Sequence, residues 1–315
     1  MAKPYFTAAS LSTPEDDVKG EVFLHYTQEE LDRAYDQRAW APNAEPVIAS
    51  YGELSRAVKA KYKFTTERYG PGEDEVLDIY PPVMAATPGA SAAADGKPKA
   101  PIHVFIHGGG WRLLTKEESA FPAPAFVENG VVYVALNFSV IPKVRVPEMV
   151  AQCRRAIVWL HRNAWRFGGD PKRMHLSGHS SGGHLAAVVL TTDWKAMGLA
   201  EPPLRSGLCA SGMYDLAPVL LSARSSYIKL DKAEEDALSP MRHLDRVTCP
   251  IAVAYGDGET PEFKRHARDF AAALKARHHS TLLEAKGTNH FEVALTLGKK
   301  DGFLGKIALE QIFAR

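Results

Sequence analysis

The chain has 315 residues, 45% of them hydrophobic and 24% charged, and a formal net charge of +1. That length suffices for one large domain with a substantial core, and the balanced charge lacks the clustered basic excess of a nucleic-acid-binding protein. No apolar run reaches the roughly 18 residues of a membrane span, and Met1–Phe6 lacks the apolar stretch of a secretory leader. Cys153, Cys209 and Cys249 are odd in number and far apart. They fit neither a disulfide framework nor a zinc site and read as reduced packing residues, so a cytoplasmic location is expected.

Polar Gln28–Tyr35, with Leu31 and Tyr35 at i, i+4, predicts a short helix. A longer helix is predicted over Pro46–Tyr62, where Val47, Tyr51, Leu54, Val58 and Tyr62 form one stripe. Tyr62–Tyr69 and Glu75–Tyr80 read as extended. The Ala-, Gly-, Ser- and Pro-rich stretch 86–100 cannot bury a core and reads as a mobile surface loop.

Beyond that stretch strands and helices alternate. Strands are predicted at His103–His107, Val131–Asn137, Arg173–Ser177, Leu208–Ser211, Ile251–Tyr255 and Thr281–Ala285. Helices are predicted at Pro147–Phe167, Ser181–Thr192, Pro261–Arg277 and Gly302–Phe313. Such alternation implies an α/β fold with a mostly parallel sheet covered on both faces. Sites in these sheets lie beyond the carboxyl ends of the strands.

At one such end stands Gly178-His179-Ser180-Ser181-Gly182, with Gly183-His184-Leu185-Ala186 continuing into a helix. This is G-x-S-x-G between strand and helix, the arrangement of a serine nucleophile on a sharp turn. Short Gly/Ser matches recur by chance, and the flanking elements carry this one. Upstream, His107-Gly108-Gly109-Gly110-Trp111 also follows a strand. Backbone N–H groups in such a glycine loop can point at a developing oxyanion without reorganising. Donors are expected from Gly109, Gly110 and Ser181. His107 is expected to anchor the loop through hydrogen bonds, His179 to line the substrate pocket, and Trp111 either to line that pocket or to pack in the core.

The order in this kind of site is Ser, acid, His. Of twelve histidines, His290 follows the last strand and precedes the terminal helices, where the base belongs. His278 and His279 fall at a helix end and read as solvated, while His184 reads as a packing residue. Two acids, Asp257 and Glu259, follow the Ile251–Tyr255 strand. Position in the loop before Thr260-Pro261 favours Glu259, with Asp257 as the alternative. The carboxylate would fix the imidazole tautomer and stabilise the imidazolium.

Together these residues resemble the kynurenine formamidase (arylformamidase)-like branch of the α/β-hydrolases, close to the hormone-sensitive-lipase-type esterases. Besides the two glycine motifs, the matching stretches are Leu31–Ala39, Tyr69–Gly72, Leu77–Tyr80, Ser211–Leu216, Glu259–Phe263 and Asn289–Phe291. The resemblance implies an α/β-hydrolase fold, a single domain over 1–315, and Glu259 as the acid. It also implies an N-terminal helical cap over about 20–60 and a second lid segment over about 212–245. Asn137–Pro142 departs from the pattern of these relatives, which bears on substrate preference.

The leading expectation is a serine hydrolase of small carboxylic esters acting through an acyl-enzyme on Ser180. Next comes an arylformamidase cleaving N-formyl-kynurenine or a similar formamide. A hydrolase-fold binding protein without catalysis is disfavoured because all three triad positions are filled in order. The substrate is thus expected to be a small ester or formamide, with neither nucleic acid nor membrane as partner; homodimer formation is left open. Neither metal nor organic cofactor is implied, since H-E-x-x-H and phosphate-loop spacings are missing.

Overall fold

The computed structural model describes residues 20–83, 91–92, 98–276 and 280–314. A small ribbon, β1 (Glu21–Phe23) against β2 (Tyr26–Thr27), leads into α1 (Gln28–Ala34). Thr27 and Glu30 form a reciprocal capping box there, which fixes where α1 begins. Helix α2 (Ala44–Lys61) follows and buries Tyr51, Ser55 and Val58. Leu54, expected on its buried stripe, is exposed. Ser55 takes the inward place because its hydroxyl accepts the N–H groups of Ala120 at 3.1 Å and Phe121 at 3.0 Å.

The sheet contains β3 (Thr65–Arg68), β4 (Val76–Tyr80), β6 (Pro98–Ile106), β7 (Val132–Leu136), β8 (Gly169–His179), β9 (Leu204–Ala210), β10 (Ile251–Gly256) and β11 (Ser280–Ala285). Across it the order is β11-β10-β9-β8-β6-β7-β4-β3. All neighbours from β11 to β7 are parallel, while β4 runs antiparallel to both β7 and β3. Short β5 (Ser91–Ala92) pairs with the start of β6. The described ends of the stretch expected as a surface loop are therefore strand; residues 86–90 and 93–97 lie outside the described residues.

Period-two alternation distributes the strands' side chains between two cores. Ile102, Val104 and Ile106 of β6, with Val132, Val134 and Leu136 of β7, face α4 (Val146–Asn163), α5 (Ser181–Leu190) and α8 (Pro261–Lys275). Phe105, Tyr133 and Ala135 face α3 (Ala123–Val127) and α10 (Phe303–Phe313). Every residue of α5 is buried, in keeping with its mostly apolar composition; of its polar residues, Ser181 accepts from Trp111 N, and His184 bonds Trp111 and Leu238. Strand β8 begins earlier than expected: Gly169 already pairs with Ala100, and a register break absorbs the polar stretch before Met174 pairs with Ile102. Three further short helices are α6 (Leu216–Leu221), α7 (Lys232–Leu238) and α9 (His290–Leu295).

Cys153, Cys209 and Cys249 are free and buried, and burial pushes their thiols upward. Among the described residues no helix is long and apolar enough to cross a membrane.

Candidate active site at the carboxyl edge of the sheet

Ser180 joins β8 to α5 with φ 59 and ψ −126, a strained conformation for a residue with a side chain. Two glycines make this turn physically accessible. A Cβ on Gly178 would lie 2.0 Å from the Gly182 carbonyl oxygen, and one on Gly182 would lie 2.2 Å from that of Ile106. Strand and helix can thus approach only where both side chains are missing. The turn presents the Ser180 hydroxyl at the start of α5, whose N-terminus favours developing negative charge.

His290 Nε2 lies 2.9 Å from Ser180 Oγ, and its Nδ1 lies 3.0 Å from Glu259 Oε2. A carboxylate only accepts, so in the neutral imidazole Nδ1 carries the proton and Nε2 accepts from the serine hydroxyl. Glu259 is 1% exposed, which makes its remaining hydrogen bonds decisive for a buried charge. Its Oε1 accepts from Gly256 N at 2.7 Å and from Ser211 Oγ at 2.5 Å. Gln37 Nε2 approaches Oε2 at 3.4 Å. Asp257 instead accepts from Thr288 N at 3.2 Å and bonds no part of His290. The geometry thus pairs Glu259 with the histidine and leaves Asp257 holding the loop.

His290 is placed by α9. Asn289 caps that helix, accepting from Phe291 N and Glu292 N, while Glu292 returns the contact to Asn289 N. Asn43, just before α2, hydrogen-bonds both Asn289 and Glu292 at 2.7 Å and so ties this corner to the N-terminal helices. His179 Nε2 donates to the His290 carbonyl oxygen at 2.8 Å, and its ring lies 4.7 Å from that of His290. Burial holds His179 well below the ordinary imidazole range, so it remains neutral beside His290.

The glycine loop lies against the turn. Trp111 N donates to Ser181 Oγ at 3.1 Å, and Gly109 and Gly110 adopt φ 101 and 62. A Cβ on Gly109 would meet the Leu113 carbonyl oxygen at 2.0 Å, so the loop's path requires glycine there. Gly109, Gly110, His179, Ser180 and His290 all line one cavity of about 720 Å³. Trp111 does not. It is 1% exposed in the core, where its indole N–H donates to His184 Nδ1 at 3.3 Å. Of its two expected roles the structure shows the packing one, with the backbone at φ 63. His184 completes that packing through Nε2 to the Leu238 carbonyl at 2.8 Å. His107 bonds the neighbouring Gly108 carbonyl at 2.9 Å and stacks on Phe138, with its pKa pushed down to about 4 by burial. His278 and His279 lie outside the described residues.

The cavity's outer wall comes from distant sequence. Tyr35 and Gln37 follow α1, Tyr51 belongs to α2, and Arg224 and Tyr227 follow α6. Tyr35 fastens the first of these segments to α8, with its hydroxyl 3.1 Å from Glu262 and 2.8 Å from His266 Nε2. Sequence reasoning missed Ser211, Gln37, Arg224 and Tyr227. Ser211 did lie in a recognised stretch, Ser211–Leu216. Its position at the end of β9, beside the loop after β10, was the available signal.

Several known proteins are similar to this chain. A family model described as BD-FAE matches residues 91–199. Kynurenine formamidase of Danio rerio is 31% identical over 303 residues, covering 91% of this chain and 97% of the relative. The protein of that name from Salmo salar is also 31% identical, covering 90% and 96%. Esterase LipQ of Mycobacterium tuberculosis is 28% identical over 282 residues, covering 78% of this chain and 63% of the relative. Among solved structures, an esterase of Pyrobaculum calidifontis superposes with a TM-score of 0.66 at 18% identity, covering 90% of this chain and 96% of the other. That superposition speaks to the fold alone. The fold, and the end-to-end match to two formamidases, establish that this chain belongs to the kynurenine formamidase family of α/β-hydrolases.

Proposed function

We propose that the chain is a serine hydrolase of aryl formamides, of which N-formyl-kynurenine is the representative substrate, acting through a formyl-enzyme on Ser180. The observation that carries the reading is the continuous line from Ser180 Oγ through His290 to Glu259, at 2.9 and 3.0 Å. Sequence alone placed esters first. The order is reversed here because the formamidase match runs nearly end to end, whereas the chain spans 63% of the esterase from Mycobacterium tuberculosis.

In this reading Ser180 Oγ attacks the formyl carbon while His290 Nε2 takes the hydroxyl proton. The carbonyl oxygen becomes an oxyanion that faces the N–H groups of Gly109, Gly110 and Ser181. None of these three N–H groups has a hydrogen-bond partner among the described residues. Glu259 stabilises the imidazolium formed on His290. That imidazolium then protonates the departing aryl amine as the C–N bond breaks, leaving a formyl ester on Ser180. Water attacks this ester with His290 as base, releasing formate and restoring the serine. The segments over about 20–60 and 212–245 act as a two-part cap on the single domain, closing the outer wall of the cavity over the reacting group.

Small carboxylic esters are the second reading, favoured by the match to the Mycobacterium tuberculosis esterase over 282 residues. The same apparatus performs both reactions, and the leaving group distinguishes them. Turnover of N-formyl-kynurenine compared with p-nitrophenyl acetate tests the order. Formamide turnover well above ester turnover is expected; feeble formamide with strong ester turnover overturns it.

A further inference from the structure

We infer that the cavity takes substrates whose leaving group carries a carboxylate, and that Arg224 is the residue that selects for it, with Arg112 as a second, outer positive charge. This rests on the hydrolase reading above and adds a specificity determinant to it.

Arg224 stands directly over the glycine loop: a Cβ on Gly110 would lie 3.3 Å from its Nη1. Its guanidinium is half-buried and makes two hydrogen bonds, Nη1 to Tyr227 Oη at 2.8 Å and Nη2 to the Tyr35 carbonyl oxygen at 2.7 Å. Both partners are neutral. Nε is buried without a partner, and no carboxylate pairs with the group among the described residues. A guanidinium offers five N–H donors in a planar fork suited to a carboxylate, so donors remain after these two bonds. Holding an unpaired charge partly out of water is unfavourable, and an arriving anion relieves it. Arg112 lies over the Tyr227 ring, 4.6 Å from its centroid, and is likewise in no ion pair among the described residues.

Two carboxylates, Asp32 and Asp36, also line the cavity, and neither is in an ion pair with Arg224 or Arg112 among the described residues. Arg38 pairs with Glu45, and Arg33 lies over Trp40. Asp36 is turned to Arg38 N at 3.0 Å, and Asp32 to Ala223 N at 2.5 Å and Gln28 Nε2 at 2.9 Å. Tyr227, between the two free guanidinium groups, keeps them on one side of the cavity. A substrate whose carbonyl sits at Ser180 beneath Gly110 therefore directs an anionic tail toward Arg224.

Two matched pairs of substrates test this: N-formyl-kynurenine against its α-carboxamide, and 3-acetoxybenzoate against 3-acetoxybenzamide. In R224Q, kcat/KM for the anionic member of each pair is expected to fall about 30-fold or more, mainly through KM, while the neutral member changes less than about threefold. R224K is expected to recover part of the loss. R112Q breaks no hydrogen bond and is expected to lower the anionic member by about threefold to tenfold, with a weaker salt dependence of its KM. Equal losses for charged and neutral members, or a loss confined to kcat, overturn the inference and make Arg224 a support for the glycine loop. If formamides are not turned over at all, the formamidase reading fails while the acetoxy pair still decides the role of Arg224.

Discussion

Ser211 Oγ lies 2.5 Å from Glu259 Oε1, joining the end of β9 to the loop after β10 behind the candidate catalytic histidine. The contact holds one carboxylate oxygen so that the other, Oε2, is left for His290 Nδ1. Ser211 is fully buried and adopts φ 54, so the main chain bends to deliver this hydroxyl. It acts through Glu259 rather than on substrate, as a positioning residue.

Replacing Ser211 with Ala removes one charge-assisted hydrogen bond and leaves that from Gly256 N. Such a bond contributes about 1.5–3 kcal/mol, which corresponds to roughly a 10-fold or larger fall in kcat. KM is expected to stay within about twofold, and S211T to recover part of the loss. Steady-state kinetics checks this; a change in KM alone would show that the serine serves binding.

Ser180→Ala is expected to abolish hydrolysis and leave thermal stability unchanged or raised, because the strained residue contributes no packing that Ala lacks. Glu259→Gln removes the carboxylate that supports the imidazolium, and kcat is expected to fall about 10³–10⁴-fold. Asp257→Asn retains an acceptor for Thr288 N and is expected to stay within about threefold of the parent. Comparable losses in both acid variants would return Asp257 to candidacy.

Gly109→Ala brings a methyl group against the Leu113 carbonyl oxygen, 2.0 Å away, in a loop held at φ 101. The loop must shift, carrying its N–H groups off the oxyanion position. A fall of about 10²–10³ in kcat is expected, the usual cost of losing one such donor. Circular dichroism should show the fold retained, since the sheet lies outside the loop and Gly109 itself is no part of the core.

The pH dependence of stability follows from the buried histidines. Burial pushes His107, His175 and His184 down to about 4, and His103, His179 and His266 are pushed down as well. In the unfolded chain each protonates near the ordinary value of about 6.5, so below that pH the unfolded state binds more protons. Stability is therefore complete above about 6.5 and is lost as pH falls toward 4, by up to about 1.4 kcal/mol per pH unit for each histidine. A melting temperature clearly lower at pH 5 than at pH 7.5 is expected; an unchanged one would mean that these rings are reached by solvent.

Tyr35→Phe leaves Glu262 and His266 without the hydroxyl that ties the segment after α1 to α8. A loss of about 1–3 kcal/mol is expected, measured by denaturant unfolding, since buried polar partners are left unpaired.

Much of the site was legible because its signals are local. Gly178, Ser180 and Gly182 sit within one turn between an apolar strand and an apolar helix, and that turn has few ways to fold. The glycine loop after β6 and the position of His290 after the last strand follow from chain order in the same way. Strand and helix positions were legible from periodicity, with boundaries displaced where pairing overrode polarity, as at the start of β8.

What the sequence by itself determined, then, was the α/β architecture and the chain positions of the candidate nucleophile Ser180, the glycine loop and the candidate base His290, because each is encoded by a short stretch and its flanking elements. Tertiary structure decided which of two nearby carboxylates meets His290, that Trp111 turns into the core, that Ser211 stands behind Glu259, and that Arg224 and Tyr35 converge on the cavity wall. The physical reason is direction. Asp257 and Glu259 are two residues apart on one loop, and only the path of that loop against Ser211 and Thr288 sets where each side chain points.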